Sequence, residues 1–386
     1  MIRMTILTTT RAEYGLMRPL IKRMNEDPDI EMHLVVTGMH LAETYGMTWK
    51  EIEADGFPIY KKIPILSDKE GVMGVSETMA NALVKFTQYF LDERPDFLLV
   101  DGDRYETMAV CVAAYNTNVP IVHCGGGATT EGSADEFYRH AITKMSYLHF
   151  PTTEVYRKRI IQMGEDPDRV FTVGSMGIEN ILNTKLMTKE ELESNLNFSL
   201  DRPYALVTFH PVTLDNRISE SQIMELFDAC DQRNDLKFIF TGSNSDTGGK
   251  ELNKLLTEYA CNSKERVLYV QSLGSLRYLS AMKYCAFVLG NSSSGLIEAP
   301  SFKIPTVNIG DRQRGRIKAK SVIDCDTTKQ SILDAIDKAM SEDFKKLCSN
   351  VINPNGDGDT TNKIVEIVKG YCINHKIDLR KKFFDL

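Results

Sequence analysis

Short apolar runs alternate with amphipathic stretches along most of this chain. Met4-Thr5-Ile6-Leu7-Thr8 predicts a strand, and Arg11 to Met24 a helix with Leu16, Met17, Leu20, Ile21 and Met24 on one face. Glu31 to Thr37 predicts the next strand. Phe97 to Val100 and Pro120 to His123 predict two more, with a helix over Glu106 to Tyr115 between them. Leu148 to Phe150, a helix over Glu154 to Met163, and a strand over Val170 to Val173 continue the series. Repeated βα of this kind builds a parallel sheet covered by helices.

From Asn180 to Pro203 the pattern loosens into a Lys/Glu/Asn-rich segment, and then the alternation restarts. Strands are expected over Tyr204 to Phe209, Leu236 to Phe240, Arg266 to Val270, Phe287 to Leu289 and Pro305 to Ile309. Helices are expected over Ser221 to Cys230, Lys250 to Tyr259 and Thr328 to Met340. The expected fold is α/β, two Rossmann-like doubly wound domains facing a cleft. Residues 1–175 and 176–366 would form the domains, and 367–386 a tail that packs back or hangs loose. Ligands of such sheets bind beyond the carboxyl ends of the strands, so the polar residues there carry the information.

Composition narrows the function classes. The chain has 386 residues, 42% hydrophobic and 26% charged, as two globular domains would. Its net charge of −7 argues against a general nucleic-acid binder. The first residues read as a strand and not as a leader peptide, and no apolar run is long enough to span a bilayer. The 8 Cys are scattered without a CxxC pair, which points to reduced thiols and a cytoplasmic protein. The 7 His show no metal-binding spacing, so no metal site is expected.

The richest stretch runs from Leu289 to Arg316. After the apolar run ending at Leu289, Gly290-Asn291-Ser292-Ser293-Ser294-Gly295 predicts a tight turn, and Leu296 to Ala299 the opening of a helix. Strand, small-residue turn and helix N-terminus together make an anion site, because free N–H groups and the helix dipole converge there. Arg312, Arg314 and Arg316 follow the next strand. Glu298 would repel a phosphate but would suit a ribose diol, so the stretch hints at a nucleotide.

Other strand ends carry further candidates. Arg11 opens a helix just after Thr8-Thr9-Thr10, a costly place for a cation unless an anion binds there. Asp103 follows Gly102 at the end of a buried strand and either faces the cleft or caps the next helix. His123 leads into Gly125-Gly126-Gly127, which brings backbone close to a neighbour. Glu131, Asp135 and Glu136 lie beside Arg139, His140 and Lys144, a mixture able to shift proton affinities, although spacing alone would pair several of them along a helix. His210 ends a strand and is followed by Pro211, which favours a functional imidazole. Ser243 lies in a polar turn that could contact phosphate or sugar, or need no ligand at all.

In order along the chain, TTTRAEYGLMRPL, VVTGMHLAETYGMTWKEIE, DGDRYE, DEFYRHAITKMSYLHF, FHPVTL, TGSNSDTGG and GNSSSGLIEAPSFKIPTVNIGDRQRGR resemble the hydrolysing UDP-N-acetylglucosamine 2-epimerases of sialic acid biosynthesis, the NeuC type. The resemblance runs from the first strand to about Val322. It implies a GT-B arrangement with the nucleotide held mainly by the second domain. It implies that Ser292, Ser293 and Gly295 hold the diphosphate and Glu298 the ribose, and that Arg312 and Arg11 face the phosphates or the cleft. Asp103, Asp135, Arg139 and His210 would lie at the reacting sugar. The implied partner is a nucleotide sugar, not a nucleic acid or a membrane, and the implied assembly is a homo-oligomer, dimer or tetramer.

The implied chemistry breaks the anomeric C–O bond and removes the C2 proton, giving a 2-acetamidoglucal and UDP. Water then adds with inverted configuration at C2. The route uses electrostatic stabilisation of the leaving diphosphate and acid–base groups near C2, with no metal or redox cofactor. One departure stands out. Where relatives carry acidic or imidazole side chains in the loop after the His123 position, this chain has Gly125 and Ala128. Either Glu131 takes over, or the role rests on Asp103, Asp135 and His210. The same chemistry on UDP- or GDP-linked N,N'-diacetylbacillosamine, a GT-B glycosyltransferase, and a nucleotide-sugar binder without turnover are the alternatives.

Overall fold

The computed structural model describes residues 1–69, 71–129, 135–210, 216–242, 249–374 and 377–386. The chain divides into two units, the first made of Met1–Asn180 and Asn355–Leu386, the second of Ile181–Pro354.

The first unit is built on the strands β1 (Ile2–Thr8), β2 (Ile30–Thr37), β3 (Lys61–Ile63), β4 (Phe97–Asp101), β5 (Ile121–Cys124) and β6 (Leu148–Phe150). They form a six-stranded sheet in the order β3-β2-β1-β4-β5-β6, with parallel pairing throughout. The order reverses between β1 and β4, so their carboxyl ends flank a natural crevice for ligands. Both faces are covered. Met4, Ile6, Leu34 and Leu99 pack with Met17, Leu20 and Ile21 of helix Arg11–Asn25, while Leu7, Val35, Leu98 and Val100 pack on the other side with Phe86, Phe90 and Val110. Burial on both faces explains why these strands read as unbroken apolar runs.

The second unit repeats the plan. Its strands are β7 (Tyr204–Thr208), β8 (Lys237–Thr241), β9 (Val267–Val270), β10 (Phe287–Gly290), β11 (Thr306–Ile309) and β12 (Val322–Cys325). The sheet order is β12-β11-β10-β7-β8-β9, again parallel, with its reversal between β7 and β10. The expected pair of doubly wound Rossmann-like sheets is therefore present.

Some expectations need correction. Helix Gly71–Glu93 had no counterpart in the apolar pattern. Val170 to Val173 is not a strand: only Val170 bridges, to His149. The chain also returns to the first unit at Asn355, so residues 355–366 do not belong with the second domain. Helix Thr360–Asn374 buries Ile364, Val365 and Val368 in the same core as Met17, Leu20 and Ile21, which binds it to the first sheet. The tail packs back as well: Lys381 forms an ion pair with the buried Glu165, and the Phe383 ring covers Gly164. Among the described residues no helix is long and apolar enough to cross a membrane.

Candidate active site

In the second unit the chemistry collects after β7, β10 and β11. Asn291, fully buried, is the hub. Its side-chain Oδ1 accepts from the His210 backbone N–H at 2.7 Å, and its Nδ2 donates to the His210 carbonyl at 2.8 Å. Its own carbonyl accepts from Arg312 Nη1 at 3.1 Å and Gln313 Nε2 at 2.9 Å. One asparagine thus ties the end of β7, the turn after β10 and the loop after β11 together. Asn291 was not singled out from the sequence, where it is one polar residue in a small-residue turn, and neither was Gln313.

The helix expected from Leu296 is only one turn, Ser294–Ile297, followed by a 3₁₀ turn Ala299–Phe302. So short a helix sums few peptide dipoles, and the expected anion site would rest on the turn's N–H groups and hydroxyls more than on a macrodipole. Ser293 stands at the N-cap with a side chain that makes no capping bond. Ser292 Oγ accepts from the Ser294 N–H at 3.4 Å. Gly295 is required by packing: a Cβ there would lie 2.6 Å from Thr306 Cγ2 on β11. Glu298 is held from Ser294 Oγ at 2.6 Å, and Tyr278 donates to Ser294 at 2.8 Å. Burial raises the Glu298 carboxyl above its ordinary range, with the Ser294 bond opposing.

In the first unit Arg139 is buried and gathers acceptors. Its Nε donates to Asp103 Oδ2 at 2.8 Å, its Nη2 contacts the same oxygen, and its Nη1 reaches Glu136 Oε2 at 2.9 Å and the Ala128 carbonyl at 3.0 Å. Asp103 and Arg139, expected together at the sugar, are thus brought together. Asp135 is the first residue of helix Asp135–Met145 and is exposed. His140 and Glu136 form the expected helix pair at 3.0 Å, and Lys144 instead reaches Glu165 at 2.6 Å. Arg11 is mostly exposed and pairs with Glu51 at 3.0 Å. Glu131 and Ser243 lie outside the described residues.

The glycine loop after β5 is explained by close approach. A Cβ on Gly127 would come within 2.5 Å of the Tyr156 carbonyl, and one on Gly126 within 3.0 Å of Thr143 Oγ1. Arg159 holds the Gly127 carbonyl and Arg139 that of Ala128. His123 is structural: it is fully buried, bonded to the Gly102 carbonyl at 3.0 Å and Thr143 Oγ1 at 3.2 Å, and burial pushes its imidazole down to about 3.

Two carboxyls escaped the sequence reading. Asp101 ends β4, and burial, then the charges of Glu13 and Asp103, push it up to about 7. Glu13 completes a capping box with Thr10, which alone would explain it, yet burial pushes it too up to about 7 against its hydrogen bonds to Thr9.

Comparison with known proteins accounts for this arrangement. The family model described as UDP-N-acetylglucosamine 2-epimerase matches residues 22–369. The chain is 40% identical over 381 residues to the polysialic acid biosynthesis protein P7 of Escherichia coli, covering 98% of this chain and 96% of that protein. It is 38% identical over 384 residues to the hydrolysing GDP/UDP-N,N'-diacetylbacillosamine 2-epimerase of Campylobacter jejuni, covering 99% and 98%. The fold is similar to that of the Neisseria meningitidis UDP-GlcNAc 2-epimerase bound to UDP-GlcNAc, with a TM-score of 0.79, 20% identity, and 96% and 100% of the two chains covered. Fold and full-length similarity agree: the chain belongs to the UDP-N-acetylglucosamine 2-epimerase family.

Proposed function

We propose that this chain is a hydrolysing nucleotide-sugar 2-epimerase whose first-choice substrate is UDP-N-acetylglucosamine, released as UDP and N-acetylmannosamine. The observation that carries the reading is the Asn291 hub, which holds His210, the serine turn and the Arg312 loop at one place in the second unit. Diphosphate departure needs donors placed in advance, and Ser292, Ser293 and Arg312 supply them. Gly295 lets the turn pack on β11, and Glu298, held by Ser294, is the ribose contact. His210 stands next to that leaving group as an acid–base candidate.

On the sugar side we assign Asp103, oriented by Arg139, with Asp135 at the start of the same helix as Arg139. Arg11, exposed and paired with Glu51, is assigned to phosphate attraction. Glu131 and Ser243 remain proposals from their place in the sequence. The route forms a 2-acetamidoglucal by elimination and then adds water.

A second reading keeps the chemistry and changes the sugar to N,N'-diacetylbacillosamine. The Campylobacter relative supports it, as does the small Gly125–Ala128 loop. Free thiols at the eight cysteines support a reducing compartment, in line with a cytoplasmic enzyme. We expect a homo-oligomer, which light scattering reads directly. The function itself is tested by incubating the protein with UDP-N-acetylglucosamine and with UDP- and GDP-linked N,N'-diacetylbacillosamine. Release of UDP with N-acetylmannosamine supports the first reading, and selective turnover of a bacillosamine substrate replaces it with the second.

A further inference from the structure

The first unit contains a cavity of about 180 Å³ at the ends of β4 and β5, with Asp101 and Gly125 in its wall. That is smaller than the roughly 300–1,000 Å³ of a site enclosing a whole drug-sized ligand, so it has room for part of a sugar and not for a nucleotide. Of its lining side chains, only Asp101 and Cys124 titrate; Leu16, Phe150 and Ile364 give it an apolar wall. Gly125 has a φ of 79° and no side chain, and a Cβ built there would stand 3.5 Å from Asp101 Oδ1. The absent side chain therefore leaves the Asp101 carboxyl facing open space.

Beside Gly102, the residue after Asp101, lies Glu13, 7% exposed. Its Oε2 accepts from the Thr9 N–H at 2.8 Å, the Thr9 hydroxyl at 2.6 Å and the Thr10 N–H at 3.2 Å. Its Oε1 is buried without a hydrogen-bond partner, and it sits 3.7 Å from where a Cβ of Gly102 would be, beside Asp101. An unsatisfied buried carboxylate oxygen is costly, and a proton on Glu13 lowers that cost.

We infer that Asp101 is the group of the first unit that exchanges a proton with the substrate at C2, with the buried Glu13 carboxyl as its neighbour. The inference rests on the nucleotide-sugar 2-epimerase reading. The apolar wall takes the methyl of a C2 acetamido group, which brings the hydrogen on the same carbon to Asp101. In the elimination, the Asp101 carboxylate takes that proton. The C2–H electron pair becomes the C1=C2 bond, and the C1–O pair leaves on the diphosphate. The proton stays on Asp101 and passes to solvent between turnovers. Water adds its hydroxyl at C1 and gives its other proton to solvent, while a second acid, reprotonated from solvent, supplies the proton at C2 on the other face. Asp101 thus supplies a carboxyl at the place where Gly125 has no side chain.

The charged and titratable surroundings of the pair are defined. Asp103 adds negative charge but is held by Arg139; Arg104 favours the Glu13 carboxylate; His123, driven neutral by burial, and Cys124, driven up by burial, face it from β5. Burial raises both carboxyls to about 7, and the charge of Glu13 adds to the rise at Asp101.

The test uses the full chain with Asp101→Asn, Asp101→Glu and Glu13→Gln. Asp101→Asn is expected to lower kcat by at least about a hundredfold, the scale of a lost acid–base group, with UDP binding by calorimetry within twofold of wild type. Asp101→Glu recovers part of the rate. Glu13→Gln removes the neighbouring charge, so the acid limb of kcat/KM moves to lower pH. Asp101→Asn turnover within threefold of wild type, or an unmoved acid limb in Glu13→Gln, overturns the inference. Carboxyl ¹³C NMR of the wild type and Glu13→Gln reads the pair without any substrate. A neutral-range titration of Asp101 that falls in Glu13→Gln supports it, and an ordinary titration near about 4 in both proteins overturns it. Absence of nucleotide release by the wild type from every candidate sugar would sink the functional reading alone, and the NMR titration would still decide the pair.

Discussion

The side-chain amide of Asn291 grips both backbone polar groups of His210, accepting from its N–H at 2.7 Å and donating to its carbonyl at 2.8 Å. An amide used this way replaces the ladder bonds that β7 loses at its end, and it fixes where the imidazole starts. Asn291→Ala would strand those groups and is expected to cost about 1–3 kcal/mol. Turnover should fall further than stability at the working temperature explains. Urea unfolding and kcat, measured on the same preparation, check this; an unchanged kcat would mean that Asn291 is only a structural pin.

His210 and Ser293 should fail in opposite ways. His210→Ala is expected to lower kcat by about 10²–10⁴ with little change in UDP affinity, because an acid–base group serves the reaction and not the ground state. Ser293→Ala should weaken UDP binding first, since its hydroxyl makes no capping bond and is proposed to serve the diphosphate. Calorimetric UDP titration beside steady-state kinetics separates the two. Equal losses in both parameters for His210→Ala would contradict its assignment.

Arg139 carries structural weight as well as a proposed role at the sugar. It is 5% exposed and bonded to Asp103, Glu136 and the Ala128 carbonyl. Arg139→Leu leaves two carboxylates without their cation in a confined place, so a destabilisation of about 3–5 kcal/mol is expected. Denaturant unfolding measures it. A loss under 1 kcal/mol would show that water reaches these carboxylates freely.

The sheets were legible in the sequence because strands buried on both faces must be apolar at successive positions, as in Phe97-Leu98-Leu99-Val100. Two edge strands, β3 and β12, were not: Lys61-Lys62-Ile63, for instance, has two exposed lysines and no apolar run. Helix Gly71–Glu93 hid because the first half of its buried face uses the small or polar Gly74, Thr78 and Ala82, with Phe86, Tyr89 and Phe90 only in the second, while Val72 and Val84 are 83% and 70% exposed. The helical period is blurred when apolar residues lie on both sides. Helix Thr360–Asn374 could be found locally, but its partner Met17 is far away in sequence, and only the folded chain assigns it to the first unit.

Candidate residues followed the same division. Those directly after strand ends, Asp103, His210, Ser293 and Arg312, stand where doubly wound sheets present side chains. Asp101 and Glu13 were missed because one ends a strand and the other completes a helix cap, ordinary jobs in one dimension. Their proximity depends on β1 and β4 being neighbours.

Acid stability should depend on Glu165. Burial alone would raise this carboxyl, but the His149 bond at 3.0 Å and the ammonium groups of Lys144 and Lys381 at 2.6 and 2.5 Å hold it at about 2. Burial lowers His149, with the Glu165 carboxylate opposing. The folded value lies below the ordinary 4.5, so the stabilisation is present above about 4.5 and lost as pH falls towards 2. It amounts to about 3 kcal/mol, taking about 1.4 kcal/mol per unit. Unfolding free energies across that window should fall steeply in wild type and flatten in Glu165→Gln. Parallel curves for the two proteins would assign acid sensitivity to other carboxylates.

The central claim is that this chain breaks the anomeric bond of a nucleotide sugar, removes the C2 proton and adds water without a sugar acceptor. The most direct measurement is proton NMR of the protein with UDP-N-acetylglucosamine in D2O. The account predicts UDP and free N-acetylmannosamine carrying deuterium at C2. Retention of the C2 proton in the product, or nucleotide release only when an acceptor sugar is supplied, would contradict it.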